Sequence, residues 1–347
     1  MTTANWFFAV IALVFGINIG SFLNVVIWRL PRGKSLIDPQ FSYCPRCERR
    51  LTAVDLVPLF SFLLLGRRCR TCKGEISWRY FSVELLTGLL FFGLALRFPN
   101  SAPDAVSLML FTALLVPMTF IDLDFYQIPH SLNLLAFAVA IGRDVWGIVQ
   151  HEPAHALLWG WLPRSIPGAL AGIFIFGGVR LIGWIWKRRE AMGLGDVLLA
   201  RAMGAMLVQM VPPGLALLRL FPTWVLFSCL SGLVVGGIPL ILAQARQAKQ
   251  AEQTEEEAQE PGAAEDEETL KDQLLAIVYC ITFGDLVDYV RTAFGKQKEL
   301  AIADDQFDVE PTAIPFGPYL AIGFLATVFV GEALTAWYLA VALPKPG

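Results

Sequence analysis

The sequence has few charged residues: Asp, Glu, Lys and Arg make up 16% of its 347 residues, whereas 56% are hydrophobic. A mean hydropathy of +0.57 excludes an ordinary water-soluble domain. The N-terminal segment MTTAN contains no Lys or Arg, and the apolar stretch after it is longer than the core of a typical signal peptide. The first apolar segment is therefore interpreted as a membrane helix and not as a secretory signal.

Two further absences narrow the fold. No internal repeat is evident, and no G-x-G-x-x-G turn indicates a Rossmann-type cofactor site. What the chain does contain is a series of apolar segments, each long enough to cross a bilayer. They lie near residues 5–27, 80–97, 103–121, 130–149, 167–186, 195–212, 214–242 and 314–342. We predict an all-α polytopic membrane protein with about eight transmembrane helices.

The distribution of Lys and Arg predicts the orientation of these helices. The connection from Arg29 to Arg79 carries eleven basic residues, whereas the next connection, PNSAPD, carries none. Because basic residues concentrate in cytoplasmic loops, the first loop is predicted to be cytoplasmic. Counting onward places residues 186–193 on the cytoplasmic side and the loop at 150–166 outside.

The first loop also contains two C-x-x-C pairs, CPRC and CRTC, separated by 21 residues. Their members are Cys44, Cys47, Cys69 and Cys72. Four thiolates at this spacing close a tetrahedral Zn²⁺ site with no open position, so we predict a structural metal. Two disulfides are the alternative, but they are rare in the reducing cytoplasm. Cys229 and Cys280 have no partner at such a spacing and are interpreted as buried, small apolar residues.

Two of the predicted spans carry a carboxylate at one end. Asp122, in FIDLDFYQIPH, lies at the cytoplasmic end of the third span, and Asp196, in AMGLGDVLLA, lies where the sixth begins on the same face. Ionisable groups at membrane depth are costly and usually functional. Two carboxylates that share a proton can activate water and polarise a peptide carbonyl. Gly193 and Gly195 permit close backbone approach or helix packing. Asp124 is interpreted as a solvated carboxylate.

These motifs resemble the type IV prepilin peptidases, also called leader peptidase/N-methyltransferases. The resemblance covers GSFLNVVIWRLPRG, both cysteine pairs with their flanking residues, FIDLDFYQIP, GLGDVLLA and IPFGPYLAIG. It implies that Asp122 and Asp196 form the aspartic dyad of a GxGD-type intramembrane protease. The chain departs from the family pattern at His130 and Leu198, where relatives often carry an acidic or amide residue and a lysine.

The resemblance further implies a bifunctional enzyme of the bacterial inner membrane. Such enzymes cleave the leader of type IV prepilins or type II secretion pseudopilins at the cytoplasmic face. They then methylate the new N-terminal residue with S-adenosylmethionine. We expect the lipid bilayer as surroundings and no nucleic-acid partner. A protease without methylation, or a non-catalytic assembly factor that docks partners through the zinc loop, are the alternatives.

Four regions follow from this reading. Residues 1–100 form the methyltransferase-type region with the zinc loop, 101–242 the peptidase core, 243–313 an acidic cytoplasmic insertion and 314–347 the final helix. The insertion begins as a polar, acidic tract that cannot fold alone. Its apolar second half fits either an interfacial amphipathic helix or a small packed subdomain.

The methyl-donor site is not marked by any spacing. Asn24, Arg29 and Glu84 are polar residues within or at the end of the first two spans, where burial is costly. They are the candidates for this site. Hydrogen bonding between helices is an equally good explanation for them.

Overall fold

The computed structural model describes residues 3–152, 162–187, 192–210, 216–237, 270–281 and 315–342. Within these residues the chain is almost entirely helical, and its only β-type pairings are isolated bridges. The chain forms two compact units, one of residues 1–155 with 288–308 and one of residues 156–287 with 309–347. The all-α fold class is thus confirmed for the described residues.

In its described residues, the first unit contains five helices. They are α1 (Thr3–Arg29), α2 (Phe60–Leu64), α3 (Trp78–Arg97), α4 (Ala102–Phe125) and α5 (His130–Val149), with a 3₁₀ turn at Ala53–Leu56. Helix α1 packs along α3, and α4 packs against α5, α3 and α1. A Cβ added to Gly20 would lie 2.7 Å from the Cα of Glu84, so glycine is what allows α1 and α3 to approach so closely.

The second unit contains the remaining helices of the described chain. They are α6 (Ser165–Lys187), α7 (Leu194–Leu207), α8 (Ala216–Ser231), α9 (Leu270–Ile281) and α10 (Gly317–Ala342), with a 3₁₀ turn at Val208–Met210 and a π-helical turn at Gly232–Gly237. Helix α6 packs against α7, and α8 against α10. A Cβ at Gly172 of α6 would lie 2.3 Å from the carbonyl oxygen of Ala200, so α7 lies directly on the α6 backbone.

Six of the described helices are long and apolar enough to span a membrane: α1, α3, α4, α5, α6 and α10. They coincide with six of the eight predicted spans. The other two predictions, 195–212 and 214–242, coincide with α7 and α8, which have 14 and 16 residues. The chain is therefore a multi-pass membrane protein, and the count of eight spans stays a prediction.

The predicted insertion lies mostly outside the described residues. Its described part is α9, which packs against α6 and α7. Cys280 on this helix is fully buried, as predicted, whereas Leu275 is exposed. Helix α9 thus has one packed face and one open face.

Candidate functional site

Asp122 lies in the last turn of α4. Its side chain is buried, and its backbone carbonyl accepts a hydrogen bond from the amide of Tyr126 at 2.8 Å. Tyr126 has a φ of 53°, a left-handed conformation that stops the helix. Pro129 then directly precedes the first turn of α5. The FYQIP sequence therefore ends α4 within one turn of the carboxylate.

Asp124, two residues further along α4, is not simply solvated as the sequence suggested. Its carboxylate forms an ion pair with the guanidinium of Arg79, at the start of α3, and its side chain is one-third exposed. Beside it, the guanidinium of Arg32 lies 5.2 Å from the ring centroid of Phe125. Arg79 of α3 and Arg32 of the turn that follows α1 thus contact the end of α4 that carries Asp122. The sequence gives no signal for this pairing, because Arg79 is 45 residues away and its charge already has an explanation in membrane orientation.

Asp196 lies in the first turn of α7 and is buried. Gly193 is the N-cap, and a Cβ there would lie only 3.2 Å from Oδ2 of Asp196. Gly195 follows within the first turn. An anionic side chain in a first turn also has an ordinary explanation, since the helix dipole favours it there.

Arg180 of α6 supports the backbone just before this motif. Its side chain is buried and donates a hydrogen bond to the carbonyl of Met192 at 2.7 Å. Sequence reasoning missed this residue, although an arginine inside an apolar span is itself a signal of function or of a buried partner. Leu198, the departure from the family pattern, is fully buried within α7.

The four loop cysteines come together as the sequence predicts. Their sulfur atoms all lie within 4.8 Å of one another, and those of Cys44 and Cys72 are 4.0 Å apart. Tetrahedral Zn–S bonds of about 2.3 Å would place the sulfurs about 3.8 Å apart. All six cysteines of the chain are free thiols, so the disulfide alternative is not supported. The cluster has the donors and the spacing of a closed metal site.

Each cysteine pair lies on a tight turn of the same design. The amide of Cys44 donates to the carbonyl of Arg49, and the amide of Cys69 to that of Gly74. In both turns a residue after the second cysteine, Glu48 or Lys73, has a φ of 55°. Two similar turns therefore present two sulfurs each to a common point.

The thiols differ in acidity. Hydrogen bonds from the backbone amides of Cys72 and Thr71 lower the pKa of the Cys69 thiol to about 6. The backbone amide of Arg49 lowers the pKa of Cys47, but desolvation and the other sulfurs outweigh it and raise that pKa to about 11. Four clustered sulfurs without a cation favour one thiolate over several. A bound metal ion would make all four thiolates compatible.

Asp55 joins the two turns. Its carboxylate accepts hydrogen bonds from Arg49, beside the first cysteine pair, and from Arg70, within the second, at 2.8 and 3.1 Å. The backbone amide and hydroxyl of Thr52 also donate to it. The Thr52 amide first, and then the Thr52 hydroxyl and Arg49, lower the pKa of Asp55 to about 2. Sequence reasoning did not single out this carboxylate.

The three candidate residues for the methyl donor line one pocket of the first unit. Asn24 donates to the carbonyl of Tyr80 at 3.1 Å, and Glu84 accepts from the amide of Leu59 at 2.8 Å. The hydrogen bonds between elements that the sequence offered as an alternative are therefore present. The pocket shows that these residues also share an accessible surface.

Arg29 has a more structural environment than the other two. Its guanidinium donates to four backbone carbonyls of the following segment, at distances of 3.0 to 3.5 Å. They belong to Ser35, Leu36, Pro39 and Phe41. Arg29 therefore organises the segment that leads directly to Ser42 and Tyr43, which line the pocket.

Cys229 does not fit its sequence interpretation. It is exposed on α8, close to the exposed Leu226 and Leu230. A small, weakly polar thiol is compatible with an apolar outer helix face as well as with a core. Burial was therefore the wrong expectation for this residue.

Two protein-family models match this chain. A model of the bacterial peptidase A24 N-terminal domain matches residues 14–98, and a model of the type IV leader peptidase family matches residues 109–237. No solved structure matches the chain.

Similar proteins carry names that agree with these matches. A "Prepilin leader peptidase/N-methyltransferase" of Myxococcus xanthus (strain DK1622) is 34% identical over 94% of this chain and 92% of its own length. A protein of the same name from Aeromonas salmonicida is 28% identical over 97% of this chain and 96% of its own length. A "Type 4 prepilin-like proteins leader peptide-processing enzyme" of Escherichia coli O78:H11 is 35% identical over 60% of this chain and 80% of its own length. This chain belongs to the type IV leader peptidase family.

Proposed function

We propose that this chain is a bifunctional enzyme that cleaves the leader of type IV prepilins or pseudopilins and then methylates the new N-terminal amine. The observation that carries the proposal is the 34% identity to a named leader peptidase/N-methyltransferase along 94% of the chain. The match includes both halves of the sequence, because separate family models cover residues 14–98 and 109–237. A relative with only one of the two regions would support only part of this function.

For proteolysis, we assign Asp122 and Asp196 as the catalytic pair. Both are buried carboxylates at the end or start of an apolar helix, in α4 and α7. One carboxylate takes a proton from water, and the resulting hydroxide attacks the peptide carbonyl carbon. The other, protonated, donates a hydrogen bond to the carbonyl oxygen. Proton transfer to the nitrogen then releases the amine and breaks the C–N bond, with no covalent enzyme intermediate.

The cysteine cluster is assigned a structural role. Four sulfurs within 4.8 Å of one another suit Zn²⁺, and a site with four thiolates has no open position for a substrate. Cys44, Cys47, Cys69 and Cys72 would hold the ion, which would fix the fold of the first loop. Methyl transfer would use S-adenosylmethionine, whose sulfonium supplies an electrophilic methyl group when it is bound.

The basic first loop favours an orientation in the inner membrane in which this loop and both carboxylates face the cytoplasm. In that orientation the cleavage site of a precursor lies at the same face as its leader. The non-catalytic alternative, an assembly factor that uses only its zinc loop, leaves the buried carboxylates without a role.

The decisive experiment is mass spectrometry of a pilin-like precursor incubated with membranes that contain the protein and S-adenosylmethionine. Asp122→Asn and Asp196→Asn keep size and hydrogen bonding but remove the charge, so cleavage should fall by about 10³-fold. Asp124→Asn is the matched control, because it loses only an exposed ion pair worth at most about 1 kcal/mol. Its cleavage rate should stay within about fivefold of the wild type.

Two results would contradict the proposal. If either dyad variant cleaves as well as the wild type, the catalytic assignment fails and the assembly factor becomes the better explanation. If cleavage is normal but the wild-type product never gains the mass of a methyl group, the enzyme is a protease alone.

A further inference from the structure

A pocket lies between α1, α3 and the first loop, and the side chains that line it have no role in the proposed proteolysis. Its lining includes Ser21, Asn24, Trp28, Tyr43, Tyr80 and Glu84. Three of these are aromatic, two are neutral hydrogen-bonding side chains and one is a carboxylate. All of them belong to the part of the chain matched by the N-terminal domain model, outside the region that contains Asp122 and Asp196.

Helix packing places the carboxylate in this pocket. Gly20 lets α1 lie directly on α3 at Glu84, because any Cβ there would clash with the Glu84 backbone. Leu59, with a φ of 59°, turns its amide towards the Glu84 carboxylate, which accepts this hydrogen bond at 2.8 Å. The hydroxyl of Ser21 also bonds to it. A carboxylate has about four acceptor sites, so these two donors leave capacity for a ligand.

The charges around the pocket are arranged with opposite signs at its two ends. Ser21 and Arg29 are eight residues apart on α1, which corresponds to about 12 Å along a helix. Glu84 bonds to the first of them. Near the other end lie Arg29 and Lys34, whose ammonium is 4.3 Å from the ring centroid of Trp28. The guanidinium of Arg32 is 5.3 Å from the same ring.

We propose that this pocket binds the methyl donor and that Glu84 recognises its positively charged sulfonium. This inference rests on the methyltransferase half of the proposed function. Aromatic rings and a carboxylate are the groups that proteins use to bind organic cations. The donor also carries an amino-acid carboxylate, and Arg32 and Lys34, beside the lining residue Trp28, supply positive charge near that end of the pocket. The two ends of the pocket therefore match the two kinds of charge on one ligand.

Arg29 has a different role in this arrangement. Its donors are committed to four backbone carbonyls of residues 35–41, so it is a positioning residue for the segment that leads to Tyr43. Its guanidinium also lies 5.7 Å from the Tyr43 ring centroid. Glu84 is the ligand-binding residue, and Arg29 acts through the loop.

The test is equilibrium dialysis of purified full-length protein with S-adenosylmethionine and, separately, with S-adenosylhomocysteine, whose sulfur is neutral. Glu84→Gln should weaken binding of the first compound by about 10-fold or more, the usual range for losing an interaction with a charged group. It should change binding of the second by less than about threefold. Glu75→Gln is the matched control: this loop glutamate is exposed and pairs with Arg67. It should bind both compounds like the wild type.

Tyr43→Leu is a second variant, in case Glu84→Gln does not assemble. Loss of one aromatic ring should weaken binding of the charged compound by about fivefold. Precursor cleavage at the wild-type rate shows that a variant is folded, since neither residue belongs to the proposed dyad.

The outcomes separate this inference from the proposed function. If folded Glu84→Gln binds both compounds as the wild type does, the pocket assignment is overturned while methyl transfer stands. If the variant instead raises KM for the cleaved precursor and leaves donor affinity unchanged, the pocket belongs to the acceptor and the inference is again wrong. If the wild type cleaves precursor but binds no donor, both the inference and the methyltransferase half of the function fail.

Discussion

Asp55 connects the two turns that carry the four clustered cysteines, although it is not one of the sulfur donors itself. It receives hydrogen bonds from Arg49 and Arg70, one beside each cysteine pair, and its side chain is only 3% exposed. Groups that orient the ligands of a metal site commonly change metal affinity by 10- to 100-fold when they are replaced. Asp55 therefore acts on the relative position of the two cysteine turns.

Replacement of Asp55 by Asn should speed release of Zn²⁺ from the full-length protein to a chelator by about 10-fold. The pKa of Asp55 is about 2 in the folded loop, against about 3.9 in an unfolded chain. Because the folded value is the lower one, its stabilisation is complete above pH about 4 and is lost as the pH falls from there towards about 2. The ratio of the two release rates should thus be constant between pH 6 and 8, where cysteine protonation affects both proteins alike.

The control for this measurement is Glu75→Gln, which breaks only the exposed pair with Arg67 and should release metal within about twofold of the wild-type rate. A ratio that changes across this pH range would show that Asp55 does not act through a carboxylate that stays ionised. Equal release rates for Asp55→Asn and the wild type would remove the proposed role altogether.

The sequence predicts which residues belong to a site better than it predicts which residues pair with them. Four cysteines at this spacing predict a metal site because few other functions need such a pattern. The structure confirms that their sulfur atoms lie close together. The partners of Asp124 and Asp55 are basic residues in a loop that has eleven, and their charge is already accounted for by membrane orientation. Pairing within such a set depends on the fold of the loop and not on any local pattern.

At the scale of single helices, glycines of α6 allow α7 to pack closely against the α6 backbone. Every residue of α7 from Asp196 to Leu207 is buried, although the helix has only 14 residues. A Cβ at Gly172 would lie 2.3 Å from the carbonyl oxygen of Ala200, and one at Gly168 2.4 Å from that of Gly204. These contacts are with backbone atoms, which cannot rotate away as a side chain would.

Gly172→Ala should therefore push α7 away from α6, at a cost of about 1–3 kcal/mol for overpacking. We expect a lower melting temperature and a fall of at least about 10-fold in the rate of precursor cleavage, because Asp196 is carried by α7. Gly178→Ala on the same helix is the control. A Cβ at Gly178 meets nothing within 4 Å, so the gain in helix propensity of about 1 kcal/mol is not opposed. If both variants melt and cleave alike, close α6–α7 packing does not matter for the site.

Helix positions were predictable where apolar segments are long and bounded by polar residues. Helices α1, α3 and α5 begin and end within a few residues of the predicted spans. The region after residue 194 was harder, because α7 and α8 are short and their apolar content reflects burial in protein as well as suitability for lipid. Hydropathy measures the transfer of a segment from water and does not distinguish these two destinations.

For the whole molecule, the open question is how many times the chain crosses the membrane. Eight spans and six spans both return the C-terminal helix to the same side, since they differ by two crossings. They differ at the connection between α7 and α8, near Pro213. This connection lies on the side of the membrane opposite the first loop only if both short helices cross. The side of the membrane on which this connection lies therefore distinguishes the two topologies. The side on which either terminus lies does not.

We expect a fusion of alkaline phosphatase after Pro213 to be active, because this enzyme folds only after export and the count of eight spans places residue 213 outside. A fusion after His151, in the connection predicted to be external, should have similar activity, whereas a fusion after Glu75, in the basic first loop, should be inactive. Activity after His151 but not after Pro213 would mean that α7 and α8 do not cross. Asp196 would then lie on a helix pair that enters from the cytoplasmic side and returns to it. Such a pair is tolerated at membrane depth only where it is buried in protein, as the burial of α7 from Asp196 onward would allow.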